Sequence, residues 1–153
     1  MEQTGPASRL DEAAEVARQY GHHAGRHVFA GIRADYETGV LTLFRVPTHG
    51  FDDEVRALIG DDVAVEIVDA LHTRAELTVA REMAWSISGD FTVESVVMPD
   101  DGSRLRVFIT GSEWDAQRQL DDLVPGTADV MVSRRDRLTA SVYAGQDRRG
   151  QSA

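Results

Sequence analysis

The 153-residue sequence contains no cysteine, no lysine and no long apolar run. Without cysteine the chain can form no disulfide, no thiolate zinc site and no cysteine nucleophile. Without lysine it has no ammonium group for binding a phosphate or forming a Schiff base. No stretch approaches the roughly 18 apolar residues of a membrane span, and residues 1–20 lack the basic start and apolar run of a secretory signal. We therefore expect a soluble, cytoplasmic protein.

The charge is acidic and unevenly distributed. Sixteen basic residues, all arginine, face 26 carboxylates, giving a formal net charge of −10. Residues 134–153 hold five arginines and two aspartates, net +3, which leaves 11 arginines and 24 acids, net −13, in residues 1–133. A field of that sign repels phosphate backbones and anionic lipids, so it disfavours nucleic acid or a membrane surface as a partner of the body. The basic segment 134–153 has the composition of a flexible, solvated tail, although it could also contact an anionic partner.

The spacing of apolar residues predicts alternating helices and strands. A helix over 8–20, capped by Ser8 and ended by Gly21, carries leucine and alanine at helical spacing. Thr73 followed by Glu76 forms a capping-box pattern and predicts the start of a later helix. The other predicted elements are a hairpin of strands 28–35 and 40–46, a helix over 51–60, strands over 63–71, 91–98 and 104–110, a helix over 112–124 and a strand over 128–133.

The same spacing indicates which side chains face inward. On the two middle helices, apolar residues recur every three or four positions and form one stripe on each helix. The aromatic residues at helical or strand spacing are interpreted as core residues rather than as stacking platforms. The predicted inward residues are Phe51, Val55, Leu58 and Ile59, then Leu77, Ala80, Met83, Ala84 and Ile87, with Trp85, Trp114 and Phe108 as further core aromatics.

The two halves of the chain share one order of elements. Gly39 lies twelve residues before Phe51, and Gly102 lies twelve residues before Trp114, an offset of 63. Each glycine closes a predicted hairpin, and each aromatic residue begins a predicted helix. The pattern therefore predicts helix, strand, strand, helix, strand, present twice.

The predicted fold class is α+β, in two layers, with two structurally repeated αββαβ units. Each unit must pack its helices on one face of a mixed sheet to bury both apolar sets, with a right-handed strand-helix-strand crossover. The body spans residues 1–133, with pseudo-repeats at about 8–71 and 72–133, followed by the tail. The pattern leaves open whether the two units form one sheet or two.

The histidines suggest one weak metal-binding pattern. His23 and His27 are four residues apart, and three further histidines, His22, His49 and His72, could add ligands. Gly21 and Gly25 interrupt a helix here, so a polar loop is the preferred interpretation. We assign no catalytic residue, no cofactor and no metal site.

Other chemical motifs do not occur in the sequence. It contains no G-x-S-x-G nucleophile elbow, no G-x-x-x-x-G-K-[ST] phosphate loop and no G-x-G-x-x-G loop. Four pairs of neighbouring aspartates fall at predicted helix ends or turns, where carboxylates favour helix starts and turn geometry, and none matches the calcium-loop spacing. The pairs are Asp52/Asp53, Asp61/Asp62, Asp100/Asp101 and Asp121/Asp122.

Three stretches resemble the propeptide region of bacterial chymotrypsin-like serine proteases of the streptogrisin and alpha-lytic type. They are FAGIRADYETGVLTLF, VAVEIVDALHTRAELTVAREMAW and VESVVMPDDGSRLRVFI, which together cover about residues 29–110. The resemblance implies an α+β domain that binds its protease as a foldase and inhibitor. Since neither a protease domain nor an export signal is present in this sequence, the resemblance implies only a free-standing protein-binding module, and no functional residue is transferred.

The αββαβ order is also similar to that of a tandem BON domain, a periplasmic or membrane-associated binding unit. The sequence departs from that family because it has no export signal. We expect a non-enzymatic binding module that contacts another protein or a second copy of itself through an exposed sheet face or edge strand. The alternatives are a small enzyme that uses histidine and aspartate in a pocket, and a BON-like ligand-binding module.

Overall fold

The computed structural model describes residues 5–133 and contains two three-stranded mixed sheets, each joined to helices. The predicted α+β class and the αββαβ order in both halves are confirmed. The tail predicted over 134–153 lies outside the described residues. The elements are α1 (Pro6–His22), β1 (Phe29–Asp35), β2 (Val40–Arg45), α2 (Phe51–Ile59), β3 (Ala64–Asp69), α3 (Arg74–Ser86), β4 (Phe91–Val97), β5 (Leu105–Gly111), α4 (Glu113–Leu123) and β6 (Ala128–Val132).

The two sheets have the same topology. In the first, the order is β1-β2-β3, with β1 antiparallel to β2 and β2 parallel to β3. In the second, β4 is antiparallel to β5 and β5 is parallel to β6. Helices α2 and α4 are therefore the crossovers between parallel strands. Across the described residues, every helix falls short of the length and apolar character that crossing a bilayer requires.

The chain divides into two compact units. Over the described residues, unit 1 comprises 5–79 and 99–104, and unit 2 comprises 80–98 and 105–133. The turn between β4 and β5 thus belongs to unit 1. Helix α3 begins in unit 1 and ends in unit 2, so the boundary falls inside a helix.

Unit 1 buries one face of its sheet under α1 and α2. Leu41 and Leu43 alternate along β2 and are both fully buried, as the two-residue period of a strand requires. Helix α1 contributes small residues, which allow it to lie close to the sheet. The core of unit 1 consists of Leu10, Ala13, Ala14, Ala17, Val28, Phe29, Leu41, Leu43, Phe51 and Val55.

The turn 99–104 packs against the opposite face of the same sheet. Gly31 of β1 lies so close to the turn that a Cβ atom built on it would be 1.9 Å from the carbonyl oxygen of Asp100. Arg33 pairs with both carboxylate oxygens of Asp100, at 2.6 and 3.2 Å, and its guanidinium lies 5.2 Å from the centre of the Phe44 ring. These contacts fix the turn on unit 1.

Unit 2 forms its core from alternating residues of β5 and from α4. Leu105, Val107 and Ile109 of β5 are fully buried, and Ala116 and Leu120 of α4 are buried one helical turn apart. The Ser112 side chain accepts a hydrogen bond from the backbone N–H of Asp115 and caps α4, as the sequence predicts for a helix from 112. Both the start of the crossover helix α4 and its buried face are therefore set by residues that are close together in the sequence.

The first helix differs from its prediction at both ends. Its N-cap is Gly5, with Pro6 at the first helical position, so Ser8 lies inside the first turn and does not cap. Proline suits that position because its missing N–H would be unpaired there anyway. Gly21 does not end α1, which continues to His22.

Several side chains predicted to be buried are exposed. Phe51 is 3% exposed, but Trp114 is 74% exposed. The repeat pairs these two residues, yet Phe51 is the first residue of α2 and Trp114 is the second residue of α4. Phe51 lies four residues before the buried Val55 and therefore on the same face of α2, whereas Trp114 lies two residues before the buried Ala116, about 200° around α4 and away from the buried face. The other exposed residues that were predicted to face inward are Leu58, Met83 and Trp85.

Candidate binding site

The edge strands of both sheets carry features that hinder the addition of another strand. Both β1 and β4 contain a register shift, between Phe29 and Gly31 and between Val93 and Ser95. Bulges of this kind twist an edge away from further pairing. Pairing of a partner's strand with β1 or β4 is therefore disfavoured.

The other two edge strands are bonded to side chains of the crossover helices. In unit 2, the Gln117 Nε2 donates to the carbonyl of Ala128 at 3.0 Å, and its Oε1 accepts from the N–H of Val130 at 2.9 Å. In unit 1, the Arg56 Nη1 donates to the carbonyl of Val65 at 3.1 Å. These backbone groups are already paired, so surfaces built from side chains are better candidates for a site.

The two histidines considered as metal ligands lie apart from any metal-binding arrangement. His23 is the C-cap residue of α1, and both His23 and His27 are exposed. Within residues 5–133, no group of three or more histidines and carboxylates is arranged to hold a metal ion. His72 instead contacts Glu76, with Nδ1 and Oε2 3.3 Å apart.

Asp52, in the first of the four aspartate pairs, forms an ion-pair cluster with Arg45. The Arg45 guanidinium donates to both oxygens of Asp52, at 2.8 and 2.9 Å, and to Asp69 at 2.5 Å. The hydrogen bonds from Arg45 lower the pKa of Asp52, and the same contacts raise the pKa of Arg45. Because Arg45 and Asp69 end β2 and β3 and Asp52 lies in the first turn of α2, this cluster joins the three elements. The Arg45 side chain is only 11% exposed.

The remaining aspartate pairs lie in turns or on α4. Asp101 accepts from the N–H of Ser103 at 2.9 Å, and hydrogen bonds from Ser103 lower the pKa of Asp101. Asp121 accepts from the Gln117 side chain at 3.0 Å. Asp61 and Asp62 are exposed in the turn after α2. In residues 5–133, the side-chain hydrogen bonds of these aspartates thus come from arginine, serine and glutamine.

A concave surface in unit 1 brings together basic residues that are far apart in the sequence. Two adjoining hollows of about 340 and 280 Å³ share His22, Phe29 and Arg74 in their linings. We name this surface the arginine groove. Its other lining residues are Arg18, Gly21, Arg26, Gly31, Ile32, Ala75, Thr78 and Asp100.

Gly21 shapes the floor of the arginine groove, and Gly25 turns the chain from α1 toward β1. A Cβ atom on Gly21 would lie 2.4 Å from the Phe29 ring, so the ring occupies the space that any other residue would need. The N–H of Gly25 bonds to the carbonyl of Tyr20 at 2.9 Å, and the chain then turns directly into β1. The His22 ring meets the Phe29 ring edge to face, with centres 5.4 Å apart. An apolar floor therefore lies beneath polar side chains.

The arginine groove is basic although its surroundings are acidic. Over its described residues, unit 1 has eight arginines and fifteen carboxylates. Arg18 pairs with Glu15 at 2.7 Å, and Asp100 is paired with Arg33. Arg26 and Arg74 form no ion pair with any described residue. Each guanidinium carries five N–H donors in a planar fork, so these two can still bind a carboxylate from another molecule.

Sequence reasoning missed both of these arginines. Arg26 follows a glycine turn and Arg74 follows the Thr73 cap, and neither local pattern indicates a binding role. Only the packing of α3 beside the end of α1 brings them to one groove. No protein-family model matches the chain, and no curated protein matches it significantly.

Proposed function

We propose that the protein is a non-catalytic binding domain that holds a carboxylate-bearing segment of a partner protein in the arginine groove. The observation that carries the proposal is the presence of two arginines, Arg26 and Arg74, without ion-pair partners among the described residues on one concave surface. The chain has a net charge of −10, yet neither guanidinium pairs with any carboxylate in residues 5–133.

The chemistry of the groove favours aspartate or glutamate with an apolar neighbour. A guanidinium binds a carboxylate through two parallel hydrogen bonds, which adds direction to the attraction of charge. Ala75 and Phe29 supply apolar lining beside the arginines, where an aliphatic or aromatic side chain of the partner can pack. A hydrogen bond to a charged group contributes about 1.5 to 3 kcal/mol.

The charge of the rest of the chain favours a peptide over a nucleic acid. Residues 1–133 have a net charge of −13, which repels a continuous phosphate backbone. A peptide with one or two carboxylates brings little negative charge close to the acidic surface. The groove can therefore accept such a peptide at a lower electrostatic cost than a nucleic acid.

The direction of the carboxyl pKa shifts also favours a binding role over a catalytic role in proton transfer. Hydrogen bonds lower the pKa of Asp35, Asp52, Asp101 and Asp115, and the donors are Thr38, Arg45, Ser103 and Arg118. Each of these carboxylates is thus held ionised by an ion pair or a turn. A general acid needs the opposite shift, a pKa raised toward neutrality.

Fluorescence anisotropy with labelled peptides tests the proposal. The probes are a decapeptide in which glutamate alternates with leucine, and its counterpart with glutamine in place of glutamate. We expect the glutamate peptide to bind at least about tenfold more tightly, and Arg26→Gln or Arg74→Gln to weaken it by about tenfold, which corresponds to 1.4 kcal/mol. Added salt should weaken binding, because the contact is electrostatic.

Arg9→Gln is the matched control. Arg9 also forms no ion pair with a described residue, but it does not line the groove, so its removal changes net charge without changing the site. The proposal is wrong if the Arg9 and Arg74 variants lose equal affinity, or if the glutamine peptide binds as well as the glutamate peptide. Tighter binding of a phosphoserine peptide than of the glutamate peptide would contradict the assignment to carboxylate.

A further inference from the structure

His22 lines both hollows of the arginine groove, but it is not among the residues that the proposed function uses. It is the last residue of α1 and is exposed to solvent. Its ring meets the Phe29 ring edge to face, with ring centres 5.4 Å apart, and Phe29 also lines both hollows. The aromatic contact therefore holds the imidazole at the apolar floor of the groove.

The imidazole of His22 keeps its nitrogen atoms available to a ligand. Within residues 5–133, it forms no hydrogen bond and no ion pair. A neutral imidazole carries one N–H donor and one acceptor nitrogen, whereas the protonated ring carries two N–H donors and a positive charge. The protonated form therefore adds both a second donor and an opposite charge for a carboxylate bound in the groove.

The charges that share the groove with His22 come from several elements of unit 1. They belong to Arg18 of α1, Arg26 of the loop after α1, Arg74 of α3 and Asp100 of the turn 99–104. Arg18 and Asp100 already have ion-pair partners, and the lining residues from β1 do not titrate. Among the described lining residues, His22 is therefore the one whose charge changes between about pH 5 and pH 8.

A proton on His22 and a carboxylate in the groove should favour each other. The carboxylate attracts the imidazolium, and by linkage the imidazolium raises the affinity for the carboxylate by the same factor. Because His22 is exposed, the gain should not exceed that of a favourable exposed ion pair, about fivefold in affinity. A glutamate of the partner stays mostly ionised above about pH 5.5, so the ligand keeps its charge while a histidine titrates.

We propose that His22 makes carboxylate binding in the arginine groove dependent on pH. This inference rests on the proposed function and deepens it by naming how the same site is regulated. At about pH 5.5 the protonated imidazole joins Arg26 and Arg74 as a third positive charge facing the carboxylate. As the pH rises through about 6.5 that charge is lost, and the two arginines bind the carboxylate without it.

Anisotropy of the labelled glutamate–leucine peptide, measured with the full chain at about pH 5.5 and about pH 8, tests the inference. The unchanged protein should bind about fivefold more tightly at the lower pH. His22→Gln and His22→Phe should bind with the same affinity at both pH values, equal to that of the unchanged protein at the higher pH. His22→Phe keeps an aromatic ring against Phe29, so loss of packing does not explain a shared result. Calorimetry in two buffers of different ionisation enthalpy should detect proton uptake on binding in the unchanged protein and none in His22→Gln.

His27→Gln is the matched control. It removes an exposed imidazole five residues away that does not line the groove, so the fivefold difference between the two pH values should remain. A His22→Gln variant that keeps the whole difference would overturn the inference, because the pH dependence would then come from other titrating groups. Equal binding by the unchanged protein at both pH values would also overturn it and leave the proposed function standing. Absence of peptide binding at both pH values would overturn the proposed function and the inference together.

Discussion

Gly31 shows how a single position can be required by a contact that lies far away in the sequence. It sits in β1 beside the register shift, where the backbone of Asp100 approaches the strand. The backbone conformation of Gly31 is available to any residue, so the requirement is for space alone. The neighbouring Arg33–Asp100 ion pair is half-exposed on both sides, and pairs of that kind contribute little to stability.

Gly31→Ala should therefore destabilise the protein more than removal of the ion pair. A Cβ atom 1.9 Å from the Asp100 carbonyl oxygen forces the turn away from the sheet, at a cost of about 1 to 3 kcal/mol. Arg33→Gln, which keeps the close approach, should cost less than about 1 kcal/mol. Urea unfolding of both variants measures the difference. A smaller loss for Gly31→Ala than for Arg33→Gln would mean that the close approach does not matter to stability.

At the scale of elements, the crossover helices α2 and α4 have the same structural role in their two units. Each packs its apolar face on a sheet, and each places one polar side chain on the adjacent edge strand: Arg56 of α2 on β3, and Gln117 of α4 on β6. Val55 and Ala116, the residues just before these two, are both fully buried. The two side chains are therefore equivalent in their place beside the buried face, although Arg56 is the sixth residue of α2, Gln117 is the fifth residue of α4, and the residue types differ.

Gln117→Leu should expose the backbone of β6 and promote self-association. It removes the hydrogen bonds to Ala128 and Val130, at a cost of about 1 to 2 kcal/mol, and leaves an edge that another strand can pair with. Gln119→Leu is the control on the same helix, because Gln119 bonds to Ser88, outside the strands. Light scattering across a range of concentrations compares the two. An unchanged mass for Gln117→Leu would show that this bond does not protect the edge.

At the scale of the whole molecule, the shifted pKa values define a pH window of stability. Partial burial, followed by the hydrogen bond to Glu54, raises the pKa of Tyr20 to about 12. The folded state therefore keeps a proton that the unfolded state loses above about pH 10. On the acid side, Asp35, Asp52, Asp101 and Asp115 have lowered pKa values, so the stability they contribute is present above about pH 4 and falls as they become protonated.

The alkaline limit should depend on Tyr20. Its contribution is complete below about pH 10 and is lost as pH rises through about 12. Tyr20→Phe should therefore flatten the decline of the unfolding free energy above about pH 10, and Glu54→Gln should lower the pKa of Tyr20 by removing the hydrogen bond and the negative charge. Ultraviolet absorbance of phenolate follows the titration, and urea unfolding follows stability. The interpretation fails if the Tyr20→Phe variant still contains the phenol that titrates at the highest pH in the unchanged protein.

The order of the elements follows from local features of the sequence. The side chains of Thr73 and Ser112 accept hydrogen bonds from residues three positions later, so each cap acts within one helical turn. Gly39 and Gly102 adopt the left-handed conformation that closes each hairpin. Alternation along β5 identifies its buried face. All these interactions span a few residues, which is why the α+β class and the repeated order could be predicted.

Contacts between distant segments were decided by tertiary structure alone. Arg26 and Arg74 are 48 residues apart and meet in one groove only because α1, β1 and α3 pack together. Trp114 is exposed because it lies two residues before the buried Ala116, on the opposite side of α4, and apolar periodicity over a short helix does not resolve which face is buried. The sequence by itself determined the elements through short-range hydrogen bonds and apolar spacing. The fold determined the candidate sites, because their electrostatics depend on side chains that are close only in space.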